Sequence, residues 1–162
     1  MPISRILSVA LSVFAIDRLL KIWTVEWMDL RNLYVIEVWP PYFTLKMGWN
    51  EGINFGLFGS GSDITKYLLI GIGLAISVLL LVWFRKARGF WLQTSVGLVV
   101  GGAIGNIVDR LIYGAVVDFI NVGCCGINNP YVFNSADVAI FIGVVGLIFL
   151  DEKKPGKNKQ KA

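Results

Sequence analysis

Two carboxylates in the C-terminal half of the chain lack an obvious local cation. Asp118 sits in Val116-Val117-Asp118-Phe119, and Asp137 in Phe133-Asn134-Ser135-Ala136-Asp137. Two such groups brought together away from water cannot both ionise; one keeps its proton and the pair titrates as a unit. A pair of this kind can hold a water, deprotonate it toward a peptide carbonyl and protonate the departing amine. The same residues also have a structural reading. Asn134 with an acid three residues on reads as a helix N-cap, with Asp137 in the first turn where capping and helix dipole favour it. Spacing alone leaves both readings open. The chain has no histidine, which excludes Ser-His-Asp and His-ligated zinc chemistry.

Other ionisable groups fall inside apolar stretches, where each needs a partner or a purpose. Asp17 and Lys21 are four apart, hence neighbours on one helix face and an internal ion pair. Asn106, Asp109 and Arg110 share a face by three- and four-residue spacing. Arg110 can fork onto a carboxylate and fix its geometry. Structural pairing and a functional role are both open for these two clusters.

The elements that must position these groups belong in a bilayer. Of 162 residues, 56% are apolar and 16% charged, against roughly 45–50% and about 25% for a soluble domain. A chain this small cannot hide so much hydrocarbon from water. Residues 67–84 and 89–108 run without a charge, and a span needs ~20 apolar residues. The pattern predicts an all-α integral membrane protein. It forms a single membrane domain over 1–162, with four transmembrane helices over about 3–25, 64–84, 89–112 and 133–150. The last has too few uncharged residues after Asp137 to cross alone, so Asp137 belongs to its first turn.

Short flanks rich in Lys and Arg stay in the cytoplasm. Arg5, then Arg85, Lys86 and Arg88, and the basic tail over 151–162 therefore mark the inner side, which puts both termini there. The loop over 26–63 is acidic and external. Asp118 and Asp137 flank a second external connection, so both lie near the outer face.

Within the long loop, Leu33 to Trp39 and Tyr42 to Met47 read as two strands around Pro40-Pro41. They predict a small external β-sheet between the first and second helices, with Trp23, Trp27, Trp39 and Trp49 resting it on the membrane surface. Gly97, Gly101 and Gly105 recur every four residues, a face for close helix packing or for substrate access. Cys124 and Cys125 are adjacent, a spacing that disfavours a bond between them, and read as structural or incidental. The N-terminus resembles a cleavable secretory signal. Removing it breaks the charge rule for the other segments, so it is kept as a span. No aromatic-interleaved basic face accompanies the net charge of +4, so the tail points to anionic lipid and not to nucleic acid.

Five stretches together resemble the bacterial lipoprotein signal peptidases (signal peptidase II). They are Asp17-Arg18-Leu19-Leu20-Lys21, residues 50–56 (Asn-Glu-Gly-Ile-Asn-Phe-Gly), residues 101–110 (Gly-Gly-Ala-Ile-Gly-Asn-Ile-Val-Asp-Arg), Val117-Asp118-Phe119, and Phe133-Asn134-Ser135-Ala136-Asp137. The resemblance implies an inner-membrane aspartic endopeptidase that needs no metal or cofactor. Its substrates would be prolipoproteins, cut just before a cysteine already carrying diacylglycerol. By motif, Asp118 and Asp137 become the catalytic dyad, and Asn106, Arg110 and Asn134 support the site. Asn50 and Gly52 fall in the substrate-facing loop, and Asp17 with Lys21 form the motif pair of the first helix. Asn54 departs from the small apolar residue usual there. Phe55, Leu57 and Phe58 either clamp substrate from above or anchor the loop in the interface.

Two other classes stand beside this one. A proton-coupled transporter would string Asp17, Lys21, Asp109 and Arg110 into a relay at several depths. A non-catalytic scaffold would tolerate loss of both Asp118 and Asp137.

Overall fold

Gly101 marks a close approach between two helix backbones. A Cβ there would lie 2.5 Å from the Ala10 carbonyl oxygen, one on Gly97 would lie 2.6 Å from Val9, and one on Gly105 would lie 2.8 Å from Asp17 Oδ2. The repeated glycines are thus a packing face, on which helix α4 (Phe90–Tyr113) lies against helix α1 (Pro2–Ile22). The computed structural model describes residues 2–52, 63–124 and 129–150.

Helix α4 is the spine. A neighbouring face of it receives helix α5 (Ser135–Phe149) just as closely, since a Cβ on Gly102 would meet the Ala136 carbonyl at 2.5 Å and one on Gly143 the Ser95 carbonyl at 2.7 Å. Helix α3 (Asp63–Phe84) packs mainly on α4, where Leu80, Leu81 and Phe84 cover a core of Ile6, Ala10, Val96 and Val100.

Only 11% of the most apolar window of α3 is buried, against 61% for α4. Among the described residues these two helices are long and apolar enough to cross a membrane. Helix α1 carries Arg5, Asp17, Arg18 and Lys21, and α5 has only 15 residues. The four expected segments are all helical, but two of them meet the span criterion. After α1 the chain runs through a π-helical turn, Trp23–Trp27, and a short helix α2, Leu30–Leu33.

The sheet differs from the expectation. It has three antiparallel strands in the order β1 (Val35–Trp39), β2 (Phe43–Asn50) and β3 (Val116–Val122). The third comes from beyond α4, not from between the first two long helices. Gly114, left-handed at φ 81, ends α4 by returning its N–H to the Arg110 carbonyl, and the freed chain enters β3. Gly48 pairs with Asp118, beyond a register shift between Leu45 and Gly48. Leu30, Leu45 and Phe119 seat the sheet on Leu20 at the end of α1. Cys124 is disulfide-bonded, so of the two readings, structural and incidental, the structural one holds for it; Cys125 lies outside the described residues. Asn54, Phe55, Leu57, Phe58 and the basic tail lie outside the described residues.

Candidate active site

Asp118 is delivered by the buried start of β3 and Asp137 by the first turn of α5. Asn134 joins them. Its Nδ2 donates to Asp118 Oδ1 at 2.6 Å, and its Oδ1 accepts the Asp137 N–H at 3.0 Å. The Asn134 N–H in turn reaches Asp137 Oδ2 at 3.3 Å, completing a capping box. The capping reading therefore holds, and the amide that caps Asp137 also bonds Asp118. Asn106 on α4 donates to Asp137 Oδ1 at 2.8 Å and accepts from Asn134 Nδ2 at 3.3 Å.

Asn50, at the end of β2, donates to Asp118 Oδ2 at 3.1 Å, and its own Oδ1 accepts the Gly52 N–H at 3.0 Å. The second contact fixes which end of the Asn50 amide faces the acid. Gly52 has φ 110, and a Cβ there would come within 2.5 Å of Leu69 on α3, so glycine suits the position in both conformation and space.

Asp118 is 4% exposed and Asn134 fully buried. Burial, and then the neighbouring charge of Asp137, push the Asp118 carboxyl up to about 6, while donors from Asn134 and Asn50 and the Lys21 charge pull it partly back. An acid that holds its proton to that pH beside a second acid can supply both halves of acid-base catalysis near neutrality.

Asp17, Lys21 and Asp109 do not touch this pair. Lys21 Nζ lies 2.9 Å from Asp17 Oδ2 and 2.5 Å from Asp109 Oδ2, and Arg18 also bonds Asp109. Asp17 Oδ1 then accepts from Ser135 Oγ at 2.7 Å and from the Ala136 N–H at 3.1 Å, one residue before Asp137. Asp109 accepts the Val117 N–H at 3.2 Å, one residue before Asp118. The buried ion cluster thus fixes the backbone on which each acid stands. Arg18 and Ser135 were not among the expected site residues. Both lie inside stretches that carry the family resemblance, and Arg18 is moreover next to Asp17, which are the signals that could have pointed to them.

Arg110 departs from expectation. No ion pair to a carboxylate is present within 4.0 Å among the described residues; its Nη1 donates to the Asn106 carbonyl at 3.2 Å, and its Nε is buried without a partner. Asp109 turns instead to α1, because consecutive residues on a helix face different neighbours. The relay expected of a transporter is not formed either. Asp17, Lys21 and Asp109 form one knot at the β3 end of the bundle, and Arg110 is not part of it. Among the described residues no group of three or more His, Cys, Asp or Glu is placed to hold a metal ion.

The chain is similar to known proteins over most of its length. The family model for signal peptidase (SPase) II matches residues 9–151. The lipoprotein signal peptidase of Methylorubrum extorquens (strain PA1) is 40% identical over 147 residues, covering 90% of this chain and 83% of that one. That of Nitrobacter hamburgensis is 36% identical over 151 residues, covering 91% and 92%. Among solved structures, a bacterial membrane enzyme determined by the in meso method at 2.3 Å matches with a TM-score of 0.74 and 28% identity, covering 97% of this chain and 93% of that one. A second, at 1.9 Å, matches with the same score and 27% identity, covering 88% and 89%. The chain belongs to the signal peptidase II family, the membrane peptidases that process lipoproteins.

Proposed function

We propose that the protein is an aspartic endopeptidase of the bacterial inner membrane. It removes the signal peptide of diacylglyceryl-modified prolipoproteins just before the lipidated cysteine, with Asp118 and Asp137 as the catalytic dyad. The observation that carries the reading is the double contact of Asn134, whose amide bonds Asp118 and caps Asp137 from one buried side chain.

In the mechanism, the dyad shares one proton. The ionised carboxylate takes a proton from a bound water as the water oxygen attacks the scissile carbonyl carbon. The protonated partner gives its proton to the carbonyl oxygen, and a tetrahedral diol results. Collapse of the diol breaks the C–N bond, returns a proton to one carboxylate and delivers another to the departing amine. Asn50 and Asn106 hold the two carboxylates in place, and Gly52 orients Asn50. The Arg110 guanidinium, whose Nε has no partner among the described residues, offers a donor beside the site.

A four-span topology with both termini in the cytoplasm follows from the positive-inside rule applied to Arg5 and to Arg85, Lys86 and Arg88. It puts the dyad near the outer face, where water is present but scarce and a lipidated substrate can arrive sideways. The test is cleavage of one precursor peptide with and without diacylglycerol on its cysteine. Cleavage of the lipidated form alone, abolished in Asp118→Asn and Asp137→Asn, is the expected result. Turnover by either variant at the wild-type rate would exclude the dyad.

A further inference from the structure

Glycine inside a β-strand weakens it, because its backbone loses more freedom on folding than any other and it brings no side chain to pack. Gly48 nevertheless sits in β2, directly opposite Asp118 in β3. The usual reasons for a glycine are missing there. On the helices, a Cβ on Gly97, Gly101, Gly102, Gly105 or Gly143 would come within 2.5–2.8 Å of a neighbour, so packing demands those residues. Gly52 has a left-handed backbone. Gly48 meets neither condition. Its φ lies outside the left-handed region, so the register shift beside it does not call for glycine. A Cβ there would rest 3.5 Å from the Asp118 carbonyl oxygen and from Val132 Cβ, which is ordinary contact.

What sets Gly48 apart is its place. Residues directly opposite each other in an antiparallel pair share a face of the sheet, so position 48 is on the face of the Asp118 side chain. A Cβ at Gly48 would lie 3.6 Å from Asp118 Cβ. Asn50, two residues along β2, is on that face as well, and its amide reaches Asp118 Oδ2. The glycine therefore leaves a notch the size of a methyl group beside the acid. Its walls are Asp118 and Val132, and because Gly48 is only half-buried the notch is open.

We infer that Gly48 determines specificity, its notch receiving the side chain of the substrate residue immediately before the scissile bond. The inference rests on the lipidated-precursor reading, in which the residue after that bond is a cysteine carrying diacylglycerol. Such a group is far too large for a space of one carbon, which leaves the residue before the bond to fill it. A hydrogen or a methyl group fits. A longer side chain pushes the substrate backbone away from Asp118, and a side chain on residue 48 itself takes the space that the substrate needs.

The experiment compares kcat/KM for two lipidated precursors that differ only in the residue before the cysteine, glycine or alanine. The enzymes are wild type, Gly48→Ala and Gly48→Val, each also melted in detergent. Both variants are expected to melt at or above the wild-type temperature, because the strand gains a side chain. Wild type is expected to cut both precursors. In Gly48→Ala the alanine-to-glycine ratio should fall by about tenfold, the low end for one carbon in a binding pocket, and in Gly48→Val it should fall further. An unchanged ratio in Gly48→Ala overturns the inference, whether the two rates hold or drop together, since the glycine would then serve the fold or the acid. A Gly48→Ala protein that no longer folds also overturns it, because the space at that position would not be open. Failure of the parent reading is seen separately, in wild type alone, which would then cut the same two peptides without lipid as readily as with it.

Discussion

Asp109 accepts the backbone N–H of Val117 at 3.2 Å, so a fully buried acid of α4 holds the residue next to Asp118. Its mirror is Asp17, which holds Ala136 next to Asp137. Lys21 bridges the two acids that do this holding.

Lys21→Met should therefore strand two buried carboxylates. Breaking one side of a buried ion cluster typically costs about 3–5 kcal/mol. The expected outcome is a large drop in melting temperature in detergent, together with lost activity. A variant that melts like wild type would show that Arg18 alone neutralises both acids.

Asp118→Asn should abolish cleavage yet stabilise the fold at neutral pH. The folded carboxyl titrates near 6, above its ordinary 3.8, so the unfolded chain ionises first. Stability is lost as pH rises from about 4 to about 6, and the full penalty is present at pH 7. The shift corresponds to about 3 kcal/mol; the poorer fit of an amide facing two amide donors leaves a gain of roughly 1–2 kcal/mol. Melting curves at pH 7.5 and pH 4 check it, since the advantage should vanish at the lower pH.

Asn50→Ala should move the pH profile. Its donor favours the ionised form of Asp118, so removing it raises that group further. The basic limb of kcat/KM, set by the loss of the shared proton, should shift upward by up to about one unit. A lower plateau with an unmoved limb would mean that Asn50 serves the substrate and not the acid.

Gly101→Ala should be costly and Gly71→Ala harmless. The first puts a Cβ 2.5 Å from a backbone oxygen, while the second meets nothing within 4 Å. Overpacking at the first site costs about 1–3 kcal/mol or more. Melting of the two variants side by side gives the comparison, and equal stability would contradict the close packing of α1 on α4.

The two acids were legible because Asp118 and Asp137 are carboxylates in apolar surroundings, a placement that calls for explanation. Asn134 was legible as a cap, but its second bond, to Asp118, depends on a strand in another part of the fold. That strand was the main loss. Val116–Val122 carries an acid at its third position, whose partner at Gly48 lies far back in the chain, so no local pattern announces the pairing. The carboxylate fork expected of Arg110 is absent among the described residues for a similar reason. Helical spacing put it beside Asn106 correctly, yet spacing within α4 says nothing of α1, whose Arg18 and Lys21 claim Asp109.

The ion cluster also sets an order of events during synthesis. Asp17, Arg18 and Lys21 leave the end of α1 with one surplus positive charge, and the carboxylate that cancels it arrives 91 positions after Arg18. Until the ribosome has made Asp109, the first helix is an unfinished half of a joint, dependent on water, headgroups or an insertion factor to tolerate its charge. Helix α1 precedes α4 in the chain yet depends on it for charge balance.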